Sequence, residues 1–324
     1  MLNGLIRTVA DTLAKNKILF VPGKNPKPRP EAHKVLLWRC LLRGVELVNP
    51  EVARDLAARP DCFDLAPWNA IYYESVKEEE EDAPWIELLC QKTGPEARDV
   101  RHALSWRHKP ARYLYTLADM FPFLISLLPI SAVRSTIRET ERYFRNHDGI
   151  GSRVRERVKM PLRRLLADGD RVLLVGHSLG AVIAYEALWE LNQLEGLPGK
   201  VDLFLTLGSP LGMHFVQNRV QGFHQPKHRF PCNIRRWVNV AAQGDITALD
   251  PDMRDDFLPM LEQGCTESIE DWHRGVFNYF RNEQGLNEHR SYGYLVEQHV
   301  ARAIADWWQA DGSGGALASQ TGMA

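Results

Sequence analysis

The chain has 324 residues, of which 44% are hydrophobic and 25% charged, so it can bury a large core, and its composition disfavours disordered and fibrous classes. Its 40 basic and 41 acidic residues nearly cancel, so the global charge does not indicate a nucleic-acid partner or an acidic membrane surface. An ordinary globular protein is expected.

Short apolar runs rich in β-branched or aromatic residues predict buried strands, because the runs are continuous rather than alternating. The predicted strands cover 18–21, 69–73, 172–175, 203–207, 237–241 and 276–280. Helical spacing predicts helices at 31–43, 151–168, 179–195 and 294–309. Strands that alternate with helices favour an α/β fold, with a mostly parallel central sheet covered by helices on both faces. We expect one domain over residues 17–309.

Two segments depart from this alternation. Residues 77–147 contain an acidic run and the apolar stretch 121–130, and they predict a helical, lid-like insertion within the domain. Residues 311–324 are rich in glycine and other small residues and lack any pattern, so we expect a disordered tail.

The five cysteines are scattered, odd in number and never spaced as Cys-x-x-Cys, which predicts reduced thiols and no zinc site. At the N-terminus, Arg7 and Asp11 interrupt what would have to be the apolar core of a secretory signal. No run of about 18 uncharged apolar residues predicts a membrane span. We therefore expect a cytoplasmic protein with no transmembrane segment.

The stretch RVLLVGHSLGAVIAYEALWEL at 171–191 places a small polar residue between two glycines, where a predicted strand gives way to a predicted helix. Gly176 and Gly180 flank a turn too tight for a Cβ, and Ser178 would project at the N-terminus of the helix. Unpaired backbone N–H groups there favour negative charge, which suits the oxyanion of acyl transfer. The N–H of Leu179 would be one donor to that oxyanion.

The strand, the GHSLG turn and the helix resemble the nucleophile elbow of the α/β-hydrolase superfamily, particularly its lipases and esterases. The resemblance spans about residues 17–309 in element order, and GHSLG is its one sharp match. It implies a serine hydrolase that acts through a Ser-His-Asp triad and an acyl-enzyme. No cofactor is expected, and no metal is needed because serine supplies the nucleophile.

In this superfamily the acid follows the serine along the chain, after a later strand. Asp245 lies in the loop after the predicted strand 237–241, directly after Gly244, so it is the favoured acid. Asp250 and Asp252 are alternatives, although they flank Pro251 and favour a turn.

The histidine is expected after the last strand. His289 precedes the final helix, and the HRSY sequence that it begins is similar to the region around the catalytic histidine of many lipase-like hydrolases. His299 is a rival inside the final predicted helix, and His273 precedes the predicted last strand. His177 is expected to pack beside the turn rather than to react.

A second oxyanion donor is expected from the loop after the first strand. Many relatives have His-Gly there, whereas this chain has Pro22-Gly23-Lys24-Asn25. The N–H of Lys24 is the favoured donor, with Asn25 and then Gly23 as further candidates. A proline-rich surface loop without a catalytic part is the alternative.

Apolar residues of the insertion are candidates for an acyl pocket or for contact with a membrane surface. These residues are Phe121, Phe123, Leu124 and Leu127. A helix that only faces the core is the alternative interpretation. The expected substrate is a small-molecule or lipid ester with an apolar acyl chain. Thioesterase, acyltransferase or peptidase activity on the same triad, and a non-catalytic scaffold that binds a hydrophobic ligand, stay open.

Overall fold

A computed structural model describes residues 15–78, 81–105, 131–248 and 250–310, and for residues 131–137 it describes the backbone only. At its centre lies a six-stranded sheet with the order β2-β1-β3-β4-β5-β6, in which every neighbouring pair is parallel. The strands are β1 Asn16–Val21, β2 Phe63–Leu65, β3 Arg171–His177, β4 Val201–Leu207, β5 Ile234–Val240 and β6 Ser268–Trp272. A two-stranded antiparallel ribbon joins β7 Arg281–Asn282 to β8 Gly285–Leu286. The predicted α/β architecture with a largely parallel sheet is confirmed.

The helices connect these strands and cover the sheet. They are α1 Pro30–Val48, α2 Pro50–Ala57, α3 Asn69–Tyr72, α4 Ala83–Gln91, α5 Ala97–Ala103, α6 Ser131–Arg145, α7 Ile150–Ala167, α8 Leu179–Trp189, α9 His214–Gln217, α10 Met253–Asp256, α11 Leu258–Glu262, α12 Ser291–Val296 and α13 Gln298–Gln309. A π-helical turn, Glu190–Leu194, extends α8. Short 3-10 turns lie at Pro60–Cys62, His147–Gly149 and Pro226–His228.

Alternate residues of the strands enter two separate apolar cores. Leu19 and Leu174 belong to the core that α7 and α8 cover, whereas Phe20 and Leu173 belong to the core under α1, α12 and α13. Because successive side chains of a strand point to opposite faces, a continuous apolar run is what a strand covered on both faces requires. Helices therefore lie on both faces of the sheet, as the sequence predicted.

Two of the predicted strands are wrong, two strands of the central sheet were missed, and the β7–β8 ribbon was not predicted. Residues 69–73 form helix α3 and its end, and residues 276–280, which are buried except for the half-buried Phe277, belong to no strand. A short apolar run signals burial, but it does not distinguish a strand from other buried segments. Strands β2 and β6 were missed because FDL is very short and SIEDW carries two acidic residues. The predicted helix 294–309 is interrupted at Glu297, which caps α13 through its side chain.

Within the predicted insertion the structure describes α4, α5 and α6, which lie in the chain between β2 and β3. The candidate pocket residues Phe121, Phe123, Leu124 and Leu127 lie outside the described residues, and so does the tail 311–324. In the described ranges, no helix combines the length and the apolar character needed to cross a membrane.

The expectation that all five cysteines are reduced is wrong, because Cys232 and Cys265 form a disulfide with their Cα atoms 4.0 Å apart. Cys232 precedes β5 and Cys265 precedes β6, and these neighbouring parallel strands begin at the same edge of the sheet. The two residues are 33 positions apart, a separation that no local spacing rule detects. Cys40, Cys62 and Cys90 are free thiols.

Candidate functional site

Ser178 lies in a sharp turn between β3 and α8, with φ 53° and ψ −129°, a conformation that non-glycine residues rarely adopt. A Cβ at Gly176 would lie 2.6 Å from the Cα of Ala181, and a Cβ at Gly180 would lie 2.3 Å from the carbonyl oxygen of Val21. The predicted steric role of both glycines is confirmed. The surrounding backbone thus holds Ser178 in a conformation that costs about 1–3 kcal/mol.

Three side chains named from the sequence form one hydrogen-bonded chain. His289 Nδ1 lies 2.8 Å from Asp245 Oδ2, and His289 Nε2 lies 2.8 Å from Ser178 Oγ. A carboxylate only accepts hydrogen bonds, so Nδ1 carries the proton that it donates to Asp245. When Nε2 carries no proton it is an acceptor, and the hydroxyl of Ser178 donates to it.

A glycine after β4 makes room for this chain. Gly208 has φ 53°, and a Cβ there would lie 2.6 Å from Asp245 Oδ2 and 3.1 Å from His289 Nδ1. Gly244, directly before Asp245, has φ 88°, in the left-handed region that favours glycine. The glycine at 244 was recognised from the sequence, whereas the need for one at 208 was not.

Asp245 is buried and accepts three hydrogen bonds. Besides His289, the hydroxyl of Tyr294 donates to Oδ2 over 2.6 Å, and the backbone N–H of Thr247 donates to Oδ1 over 2.8 Å. Burial alone would raise the pKa of Asp245, but the positive charge of His289 in its protonated form and these hydrogen bonds outweigh it and lower that pKa. The side chain is therefore an ionised carboxylate at neutral pH.

His177 supports the loop that carries His289. Its Nε2–H donates to the carbonyl oxygen of His289 over 2.8 Å, and the two rings lie 4.8 Å apart. Burial, followed by the charges of His289 and Lys27, lowers the pKa of His177 well below 6.5. The ring is thus neutral and acts as a buried support, in agreement with its expected place beside the turn.

The rival residues have other partners. His299, in α13, contacts Glu297 Oε1 over 2.8 Å, and Asp250 Oδ1 accepts from the N–H of Asp252. His273 directly follows β6, the last strand of the sheet, so its predicted place before the last strand is wrong. Its ring lies 3.6 Å from Asp252.

Side chains of α3 and its flanks hold the loop 22–25 by its carbonyl groups. Asn69 Nδ2 donates to the carbonyl oxygens of Gly23 and Asn25 over 2.9 and 3.0 Å. Because a trans peptide points its C=O and N–H in opposite directions, the N–H of Lys24 points away from Asn69. The N–H of Asn25 already donates to the hydroxyl of Tyr73 over 3.0 Å. Of the two, Lys24 is therefore the better placed to offer a donor.

Gly23 lies so close to Ser178 that no residue with a Cβ atom fits at this position. A Cβ there would lie 2.6 Å from Nδ1 of His177 and 3.0 Å from Cβ of Ser178. The loop 22–25 is therefore in direct van der Waals contact with the strained turn. Leu179, on the other side of Ser178, is the first residue of α8, so its N–H has no partner within the helix.

A cavity of about 550 Å³ opens over Ser178, a volume typical of sites for small molecules. Lys24, Leu179 and His289 line it beside the serine, and Thr140 of α6 lines it as well. The apolar part of its wall comes from Pro210, Met213, Phe215, Val216, Ile246 and Leu286. This wall was not predicted from the sequence, because its residues lie in loops and short elements without periodicity.

Comparison of the chain with protein-family models, with curated proteins and with solved structures gave no match. The arrangement of the side chains around Ser178 is therefore the basis for assigning a function. In chemical terms, a serine that is hydrogen-bonded to an imidazole can pass its proton to that imidazole when it attacks an electrophile, and a carboxylate hydrogen-bonded to the far side of the ring stabilises the product.

Proposed function

We propose that the protein is a serine hydrolase of the α/β-hydrolase type that cleaves carboxylic esters with an apolar acyl chain. The observation that carries this proposal is the hydrogen-bonded chain from Ser178 through His289 to Asp245, with the serine on a strained turn at a helix start. Nucleophile, base and orienting acid follow the geometry that activates serine on several unrelated folds.

In the proposed reaction His289 Nε2 removes the Ser178 proton as Oγ attacks the ester carbonyl carbon. The carbonyl oxygen becomes an oxyanion, and Asp245 stabilises the imidazolium through Nδ1–H. The imidazolium then protonates the leaving alcohol as the C–O bond breaks, which leaves an acyl-enzyme. A water molecule gives a proton to Nε2, attacks the acyl carbon and releases the acid, and the proton returns to Ser178.

Two backbone donors are proposed for the oxyanion. The N–H of Leu179 lies at the positive end of the α8 dipole, and the N–H of Lys24 belongs to the loop that contacts Ser178. Fixed donors of this kind stabilise the transition state without reorganising, and each contributes about 2.7–4 kcal/mol in well-studied hydrolases.

The apolar wall of the cavity supports an ester with a hydrocarbon acyl chain. Met213 and Phe215 line the same space as Ser178, so a chain bound to the acyl carbon would be removed from water against them. Thr140 of α6 also lines it, which supports the proposal that residues 77–147 form a lid over the site.

Labelling with a fluorophosphonate tests the proposal. Ser178 Oγ is expected to form a bond to phosphorus while fluoride leaves and His289 takes up the proton. Intact-mass and peptide mass spectrometry would then place one adduct on Ser178. Folded protein that takes up no label and hydrolyses none of a series of p-nitrophenyl esters would contradict the proposal and favour a ligand-binding scaffold.

Replacing Asn69 by alanine is expected to lower kcat about 10- to 100-fold while KM changes little, because the loop that carries Lys24 loses two carbonyl anchors. Asn233→Ala is the matched control, since Asn233 is also buried and donates to a carbonyl, that of Leu188. Steady-state kinetics on p-nitrophenyl butyrate would distinguish the two variants. Equal losses in both, or a change in KM alone, would argue against an oxyanion role for the loop.

Replacing Met213 by tryptophan is expected to shift the preference towards short acyl chains. The larger side chain fills part of the cavity wall, so activity on long esters relative to acetate is expected to fall about 10-fold or more. Hydrolysis of p-nitrophenyl esters from acetate to palmitate measures this ratio. Met160→Trp, at a site on α7 that is 57% exposed, is the control. An unchanged chain-length profile would place the acyl chain elsewhere.

A further inference from the structure

Tyr294 joins the two loops that carry the proposed acid and base. Its side chain is fully buried on α12, the helix that begins two residues after His289. The backbone N–H of Ala242 donates to its hydroxyl oxygen over 2.9 Å. Since that N–H only donates, the hydroxyl accepts it, and its own hydrogen is directed to Asp245 Oδ2 over 2.6 Å.

The oxygen that Tyr294 contacts is the one that receives the proton of His289. Oδ2 of Asp245 thus accepts from both Tyr294 and His289, while Oδ1 accepts from the N–H of Thr247. With donors on both oxygens, rotation of the carboxylate would break at least one bond. Ala242 lies three residues before Asp245, so the same hydroxyl also fixes the start of the loop.

We propose that Tyr294 is a positioning residue of the proposed hydrolase: through its hydroxyl it fixes the Asp245 carboxylate and moderates its pull on the His289 proton. The inference depends on the proposed function, because it concerns how the base of that reaction is held. Tyr294 does not itself line the cavity, and its link to the site is the hydrogen bond to Asp245, which does.

The charged and titratable groups around the pair come from several elements: His289 bonds to Asp245, and Lys24 and Glu288 line the same cavity as Asp245. Tyr294 faces Asp245, the ring of His177 at 5.9 Å, and Glu297 at the end of its own helix. Burial, and then the charge of Asp245, raises the pKa of Tyr294 well above 10.0. The hydroxyl therefore remains a donor across the pH range of an esterase assay.

Tyr294→Phe removes this donor, and Tyr279→Phe is its matched control. Tyr279 is also buried, and its hydroxyl has no hydrogen-bond partner within the described part of the chain. For Tyr294→Phe we expect kcat to fall about 10-fold with KM unchanged. We also expect the acidic limb of the kcat/KM profile to move to higher pH by about half a unit. Without the Tyr294 hydroxyl as a donor, the Asp245 carboxylate holds the imidazole proton more tightly.

A second variant covers the case in which loss of the Ala242 contact prevents folding. Site-specific 3-fluorotyrosine at position 294 keeps both hydrogen bonds but makes the hydroxyl a stronger donor. The acidic limb of the kcat/KM profile is therefore expected to move to lower pH. Wild-type protein that neither labels nor turns over ester would overturn the proposed function. If the wild type is active but its pH profile of kcat/KM is the same as that of both position-294 variants and of Tyr279→Phe, only the role of Tyr294 is overturned.

Discussion

Ser178→Ala is expected to lower ester turnover by about 10⁵–10⁶-fold and to abolish fluorophosphonate labelling. The variant keeps the cavity, the loop 22–25 and the Asp245–His289 pair, but no atom remains at the Oγ position to bond with the acyl carbon. Residual hydrolysis would come from water held near His289, which lacks the orientation that the strained turn gives to Oγ. Steady-state kinetics and intact-mass spectrometry measure both effects.

The matched control for this variant is Ser268→Ala. Ser268 lies on β6, and its buried hydroxyl has no partner among the described residues. Its removal is expected to leave turnover and labelling unchanged. Thermal unfolding of both variants checks that they are folded. Labelling that persists in Ser178→Ala would show that a different nucleophile reacts, and the proposed reaction would then be wrong.

Asp245→Asn is expected to lower kcat about 10⁴-fold while substrate binding is retained. Three donors converge on the two carboxylate oxygens, whereas an amide has one oxygen and an NH2 group. Whichever way the amide turns, its NH2 group faces at least one other donor. If the NH2 group faces His289, the ring is driven to the tautomer that carries its proton on Nε2. That ring no longer accepts the Ser178 proton, so the serine is not activated.

The kinetic test compares Asp245→Asn with Asp252→Asn, whose side chain lies beside His273. A pH series of unfolding adds a second readout. The pKa of Asp245 is held below 3.8 in the folded state, so its charge stabilises the fold above that pH. This contribution is lost as the pH falls through the folded pKa, and Asp245→Asn is expected to lack this part of the acid dependence. Turnover within a few-fold of wild type would exclude Asp245 as the acid.

The parts that could be predicted from the sequence are those encoded locally. The GHSLG turn, the strand before it and the helix after it are contiguous, and Gly176 and Gly180 report a steric constraint that the structure contains. Asp245 and His289 were nominated by chain order relative to the serine, and the structure brings both side chains to it. Their roles in a reaction remain proposals.

The parts that could not be predicted depend on contacts between distant segments. The hydroxyl of Tyr294 meets Asp245 across 49 residues, and Asn69 reaches the loop 22–25 across 46, with no pattern in the chain that links them. The disulfide between Cys232 and Cys265 follows only once β5 and β6 are known to be neighbours. Residues 276–280 misled the strand prediction because their apolar side chains fill a core without joining the sheet.

The order of the sheet also dictates when the fold can form. Strand β1 pairs with β3, and Asn16 stands opposite Arg171, 155 residues later. The centre of the sheet therefore closes only after more than half of the chain has left the ribosome, and β1 has only the short β2 to pair with until then. Contacts so distant in sequence make folding slow. A nascent chain halted before β3 is expected to expose the apolar residues of β1 and to need chaperone protection.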